Sequence, residues 1–125
     1  MKERAKELKA SQKAADLEKV QLEKIAELPQ PDRGLAEQIQ AIVKEHAPSL
    51  ISKTYYGMPG YANADGKIVI FFQAAAKFET RYSTLGFNEL ATLDDGPMWP
   101  TSFAVIEITP AVEKQIIALV KQAVG

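Results

Sequence analysis

Residues 55–61 carry the side chains best suited to hold a ligand. Three tyrosines and a methionine lie in this short segment, at Tyr55, Tyr56, Tyr61 and Met58. Tyrosine combines an apolar ring with a hydroxyl that hydrogen-bonds, and methionine adapts its shape to a ligand. Two glycines and a proline interrupt the segment, and such a bend can direct side chains into a cleft. The pattern indicates either an aromatic binding pocket or a bulged strand whose rings fill the core.

A second polar and aromatic loop covers residues 94–101. It places the single tryptophan, Trp99, between two prolines and close to two carboxylates, so we expect Trp99 at the rim of the pocket. Asp94 and Asp95, with Glu89 nearby, supply the oxygen ligands that hard cations prefer. The sequence Asp-Asp-Gly-Pro is also ordinary turn sequence. A metal site and a plain turn are therefore both open.

Arg81 and His46 are the remaining candidates for chemistry. Arg81 lies in a segment rich in β-forming residues, residues 77–85. If the Arg81 side chain points inward, it could bind a carboxylate or phosphate with two hydrogen bonds. If it points outward, it would pair with Glu79 in solvent. His46 is the only histidine, and no serine or acid is placed by sequence to complete a triad with it. We therefore predict a protein that is not an enzyme, with catalysis by His46 or by a tyrosine with Arg81 as the weakest alternative.

Composition excludes several classes of function. The chain has 125 residues, and its 15 lysines and arginines nearly balance its 16 acids, so no overall basic field attracts nucleic acid or an anionic membrane. Cysteine is absent, which excludes disulfides and thiolate metal sites. The N-terminus has no apolar run of the signal-peptide kind, and no apolar stretch approaches the about 20 residues that span a bilayer. We expect a cytoplasmic protein with neither nucleic acid nor membrane as partner.

Apolar spacing and turn signals predict an α+β domain. All aromatic residues lie between Tyr55 and Phe103, so a β-prone centre is flanked by helical ends. We expect an antiparallel sheet of about four to six strands with N-terminal and C-terminal helices packed on one face. Residues 1–13 are predicted as a flexible charged lead, and residues 14–125 as a single domain. The predicted helices are 14–28, 32–48 and one from Pro110 capped by Thr109, and the predicted strands are 55–61, 67–73, 77–85 and 103–109.

Several short motifs together resemble one known family. The segment from Tyr56 to Tyr61 is followed by Gly66-Lys-Ile-Val-Ile-Phe-Phe72. Further downstream come Lys77-Phe78, Thr80-Arg-Tyr82, Leu85-Gly-Phe87, Leu93-Asp-Asp-Gly96, Met98-Trp-Pro-Thr101, Phe103-Ala104 and Leu119-Val-Lys121. Over about residues 20–125, the chain resembles the YdhG-like family of small bacterial domains, which are grouped with frataxin-like proteins.

The resemblance implies helices packed against a curved antiparallel sheet. Frataxin-like proteins bind iron weakly through surface acids and are proposed to deliver it for iron–sulfur cluster assembly. It therefore implies an iron chaperone, with weakly bound iron and a cluster-assembly protein as its partner. In this chain the carboxylates available as iron ligands are those of Glu89, Asp94 and Asp95, with Glu107 as a further one. Our first hypothesis is a binding domain with an aromatic pocket for a small molecule or peptide, and the iron chaperone is the alternative. We expect a monomer or a weak dimer. The ligand-binding residues of the pocket would be Tyr55, Tyr56, Met58, Tyr61, Arg81 and Trp99.

Overall fold

Helices precede and follow a single sheet. The computed structural model describes residues 2–125, with side chains described at residue 5 and from residue 8 onward. The strands form an antiparallel sheet in the order β1-β2-β3-β4-β5, so that each strand pairs with the next one along the chain. The α+β prediction is thus confirmed. The elements are α1 (Lys2–Ala26), α2 (Asp32–His46), β1 (Ile51–Tyr55), β2 (Met58–Ala62), β3 (Ile68–Gln73), α3 (Ala75–Phe78), β4 (Ser83–Phe87), β5 (Ser102–Val105) and α4 (Pro110–Ala123).

The core lies between the sheet and the long helices. Cross-strand partners share a face of a sheet. The observed registers therefore place Phe72, Leu85 and Phe103 in one row on the same face. Phe72 and Leu85 are fully buried, and α2 and α4 meet them with apolar stripes that include Ile39 and Val120. We call this side of the sheet the helical face. At full burial, each large apolar side chain of this kind contributes about 1.5–3 kcal/mol to folding.

α1 docks through few residues. Among its described side chains only Gln21 and Ile25 are buried. Gln21 donates from Nε2 to the backbone oxygens of Lys53 (3.3 Å) and Gly60 (3.1 Å) and so ties the helix to β1 and β2. The helix begins at Lys2, and the side chains of residues 8–13 are exposed. The flexibility of the lead stays a prediction, and Met1 lies outside the described residues.

Residues 55–61 are a hairpin, which corrects the prediction of one interrupted strand. Tyr56 and Gly57 connect β1 to β2, with φ of 50° and 76°. Positive φ at both central residues is the pattern of a type I′ turn, whose twist matches that of the strands it joins. Tyr55 is paired directly with Met58 across the turn.

Two other predicted strands are wrong in extent. Residues 77–85 contain the end of α3 and the start of β4, because an alanine-rich turn of helix ends at Glu79 with φ of 52°. The strand predicted over 103–109 ends at Val105, whose partner Ser83 is the first residue of β4, so no strand extends far enough to pair with residues 106–109. The predicted Thr109 cap is confirmed, since Val112 N donates to Thr109 Oγ1.

Candidate functional site

The face of the sheet opposite the helices, which we call the outer face, holds an aromatic cluster of Tyr55, Tyr56 and Phe71. The observed registers align Lys53, Gly60, Phe71, Gly86 and Ser102 in one row across all five strands. Because side chains alternate along a strand, Phe71 lies on the outer face while its neighbours in β3, Ile70 and Phe72, are fully buried in the core. Tyr55 lies on the outer face with Lys53, two residues before it in β1.

Two glycines give the aromatic rings room to lie against the sheet. A Cβ at Gly86 would overlap the Phe71 ring, at 2.5 and 2.6 Å from its two Cε atoms. A Cβ at Gly60 would lie 2.8 Å from the Cβ of Tyr55. The Tyr55 ring centroid is 5.6 Å from that of Phe71 and 4.8 Å from that of Tyr56, at tilted and edge-on angles. Such geometry is favourable for aromatic pairs.

Met58 lies in the same neighbourhood. It is 7% exposed, yet it does not belong to the core cluster on the helical face. Its cross-strand partner is Tyr55, and partners across a sheet share a face. Met58 is therefore buried on the outer side, next to the aromatic cluster.

A cavity of about 440 Å³ opens beside this cluster. Its charged lining consists of Lys53 and Lys67. Neither lysine forms an ion pair with the side chains that the structure describes. Asn88 completes one wall and is held there by a hydrogen bond from Nδ2 to the backbone oxygen of Ile68 (3.2 Å). The cavity, lined by Lys53, Thr54, Tyr55, Tyr56, Gly66, Lys67, Ile68 and Asn88, is thus aromatic on one side and positively charged.

Tyr56 is the most unusual residue of the cavity. Its side chain is 84% exposed, and its backbone has φ of 50°. A left-handed backbone is uncommon for any residue with a side chain and unfavourable for a bulky one. The Gly57 carbonyl oxygen next to it accepts a hydrogen bond from Lys77 Nζ (2.6 Å). The turn therefore holds an exposed aromatic ring at the edge of the cavity, where it buries little apolar area.

The structure separates Tyr61 from the other two tyrosines of the segment. Tyr61 is fully buried on the helical face and donates its hydroxyl to Gln40 Oε1 (2.8 Å). Burial raises the pKa of Tyr61 far above its ordinary value, with a smaller opposing effect of a hydrogen bond with Gln21. Gln40 Nε2 in turn donates to Ser52 Oγ (3.2 Å). Tyr61 is thus part of a buried polar network between α2 and the sheet.

Trp99 and Arg81 also lie away from the aromatic cluster. Trp99 is half-buried against the core, in the connection to β5, whereas Tyr55 belongs to β1 at the opposite edge of the sheet. Arg81 is exposed, with its guanidinium 5.3 Å from the centroid of the Tyr82 ring. It borders a different cavity, beside Asp32. Of the six predicted ligand-binding residues, the structure brings together Tyr55, Tyr56 and Met58.

Sequence reasoning missed Phe71 and the two lysines. The signal for Phe71 is that it directly precedes Phe72 in a strand, so the two rings must point to opposite faces. One phenylalanine therefore had to lie on the outer face. The lysines carried no signal of their own, because single lysines at the ends of strands are ordinary surface residues.

The predicted cation ligands lie on the surface. Glu89, Asp94 and Asp95 are all exposed. Among the described residues no group of three or more histidine, cysteine or acidic side chains could hold a metal ion. His46 Nε2 lies 3.7 Å from the carboxylate of Glu45, its neighbour on α2. Iron binding by Glu89, Asp94 and Asp95 stays a prediction.

Comparison with protein-family models, with curated proteins and with solved structures found no match. Within the described residues, no helix is both long enough and apolar enough to cross a membrane.

Proposed function

We propose that the protein is a binding domain that holds a small organic anion with a planar apolar group in the cavity of the outer face. The observation that carries this proposal is the exposed ring of Tyr56, which the turn holds in a left-handed backbone. The planar group would stack on Tyr56 and Tyr55, and the anionic group would lie near Lys53 and Lys67. Met58, which is buried beside its cross-strand partner Tyr55, adds apolar surface next to the aromatic cluster.

Tyr56 is disfavoured by local physics, and its main packing contact is the edge of the Tyr55 ring. Asparagine or glycine adopts the left-handed conformation of this turn more readily than tyrosine. An 84% exposed ring recovers little of the cost through burial. A side chain that is unfavourable for its turn and leaves most of its surface in water is best explained by a ligand that covers it.

The charge of the cavity supports an anionic ligand. Lys53 and Lys67 are its charged lining residues, and no acid lines it. Since neither lysine is paired with a described acidic side chain, an anion would meet two positive charges without displacing a partner. At distances of about 4 Å near a protein surface, each such pair is favourable by a few kcal/mol before desolvation.

The test compares an aromatic anion with its neutral analogue. We would titrate the protein with 1-naphthoate and with 1-naphthamide and follow the backbone amides by two-dimensional NMR. We expect saturable shifts centred on residues 53–56, 66–68 and 88 for both compounds, with naphthoate binding more tightly. The Lys53→Met variant should weaken naphthoate about tenfold while leaving naphthamide nearly unchanged.

Tyr56→Asn is the decisive variant. It should abolish binding of both compounds while the protein stays folded, and it should raise stability by about 0.5–1 kcal/mol because asparagine suits the turn. Tyr82→Asn, which alters another exposed tyrosine outside the cavity, is the matched control and should bind like the wild type. Undiminished binding by Tyr56→Asn, or no saturable shift with either compound, would contradict the proposal.

No second function is proposed. The iron-chaperone hypothesis and membership of the YdhG-like family both stay predictions of the resemblance. Helices packed on an antiparallel sheet agree with that resemblance, but many unrelated proteins share such an arrangement.

A further inference from the structure

β5 is an edge strand with unpaired backbone groups. Phe87 N donates to Thr101 O (2.8 Å), and Phe103 and Val105 follow at alternate positions opposite β4. Hydrogen-bonded pairs alternate along an antiparallel ladder, so the N–H and C=O groups of Ser102 and Ala104 point away from β4. Within residues 2–125 these groups have no hydrogen-bond partner, and the side chains of both residues are exposed.

An apolar groove lies alongside this edge, between β5 and α4. It has a volume of about 390 Å³. Phe103 and Ile106 form its wall on the strand side, and Val112, Ile116 and Leu119 form its wall on the helix side. An edge strand beside a helix is the arrangement that binds extended peptides by strand addition, with backbone hydrogen bonds for affinity and a side-chain pocket for specificity.

The β5 edge carries no charge and no proline that would hinder strand pairing. Natural edge strands are commonly protected by lysine, proline or an inward-pointing charge. Residues 101–106 contain no charged residue and no proline, and Ile106 is 70% exposed. No described element covers this edge. An apolar edge left open in this way is suited to pairing with another strand.

We propose that an extended peptide binds along β5 as a sixth strand and inserts an apolar side chain between β5 and α4. The charge of the region indicates a basic peptide. Glu107 is the charged residue that lines the groove. No lysine or arginine is among the residues that line the groove, and none occurs in the sequence from residue 83 to residue 113.

A second copy of the chain fits the groove less well than a peptide. If two β5 strands paired, the side chains available on the helical face would be Phe103 and Val105. Val105 is 5% exposed, and Phe103 packs against the core of its own molecule. Neither could leave its core to enter the groove of the other copy. The occupant must carry an apolar side chain that is free in solution.

The test uses a defined peptide of about seven residues, the length of an ordinary strand. It is acetylated and amidated, has valine or leucine at alternate positions, and carries a lysine and an arginine near its ends. Two matched peptides replace the basic residues by glutamate or carry N-methyl groups on the amides that would face β5. Binding is followed by amide NMR and self-association by analytical ultracentrifugation.

Ala104→Pro is the matching protein variant. Its ring removes an N–H that points to solvent, so the pairing of β4 with β5 is preserved. Ala64→Pro, in the exposed turn before β3, is the control. A second blocking variant, Ile106→Lys, adds a charge at an exposed position of the same edge and does not depend on proline being tolerated.

We expect the basic peptide to shift residues 102–106 and 112–119 and to slow amide exchange at Ala104. Ala104→Pro and N-methylation should each weaken binding by about fivefold or more for each hydrogen bond lost. Ile106→Lys and the glutamate peptide should also bind more weakly. Absence of shifts along β5, or equal binding of the N-methylated peptide, would overturn the proposal. A wild-type dimer that Ala104→Pro dissociates would also overturn it, since the occupant would then be a second copy.

Discussion

Replacing Gly86 by alanine should destabilise the fold through a single ring. The added Cβ would lie 2.5–2.6 Å from two Phe71 ring atoms, whereas carbon atoms in contact are about 3.5–4.0 Å apart. Because Phe71 Cζ would lie closer still, the ring must move by more than about 1 Å. Overpacking of this kind typically costs about 1–3 kcal/mol. We expect about 1–2 kcal/mol, because Phe71 is half-buried on the outer face and can move toward solvent.

The same substitution should become harmless once the ring is removed. The φ of Gly86 is not in the left-handed region, so alanine fits its backbone. In a Phe71→Ala background, Gly86→Ala should be neutral or stabilise by about 0.5–1 kcal/mol, because glycine inside a strand is unfavourable. The coupling between the two positions is then about 2 kcal/mol, well above the scatter for independent sites.

Urea unfolding measures this cycle, with the fluorescence of Trp99, which is half-buried against the core, as the signal. Gly66→Ala is the control. A Cβ at Gly66 meets no atom within 4 Å, but its φ is +79°. Its cost of about 1 kcal/mol should come from the backbone alone and should not depend on Phe71. Equal costs of Gly86→Ala in both backgrounds would refute the overlap argument.

Two further predictions concern buried polar groups. Tyr61→Phe leaves the buried Gln40 Oε1 without its donor and should lower the free energy of unfolding by about 1–3 kcal/mol in urea; an unchanged value would contradict this. Because burial raises the pKa of Tyr61, its hydroxyl loses the proton at a lower pH in the unfolded chain, at about pH 10, than in the folded protein. The free energy of unfolding of the wild type should therefore fall as the pH rises through this range. Between about pH 9 and pH 11 the Tyr61→Phe variant should lose less of its free energy of unfolding than the wild type does. Asp32→Ala removes the acceptor of Ala76 N (2.8 Å), and should cost about 1–2 kcal/mol and speed amide exchange at Ala76.

The parts of the fold that sequence predicted best are those set by local chemistry. Thr109 caps α4 ahead of a proline at the first helical position, as expected. Prolines 29 and 31 separate the first two helices. Residues 77–85 were misread because β-forming side chains occupy alternate positions there, from Phe78 to Thr84, while the start of α3 is held by a distant contact. The carboxylate of Asp32, 44 residues earlier in the chain, accepts a hydrogen bond from Ala76 N.

The candidate site was predicted only in part because one turn reverses the geometry. In a single strand, Tyr55 and Tyr61 are an even number of residues apart and would share a face. The hairpin at Tyr56 instead pairs Tyr61 with Ser52. Since Ser52 is three residues before Tyr55, the two tyrosines point to opposite faces. The placement of the predicted pocket thus depended on a turn whose first central residue, tyrosine, gives no signal of a left-handed backbone.

The two proposed surfaces share one physical property. Tyr56 and the β5 edge both break a local rule at positions where the chain gains little packing in return. With asparagine at position 56 or lysine at position 104 the protein would be as soluble as the wild type, and each of these residues would suit its local structure better than the residue present. The Phe71–Gly86 pair differs, because there a costly glycine is offset by a ring that covers it. A departure that the folded chain itself compensates needs no ligand, whereas one left exposed to solvent is explained most simply by a partner that covers it.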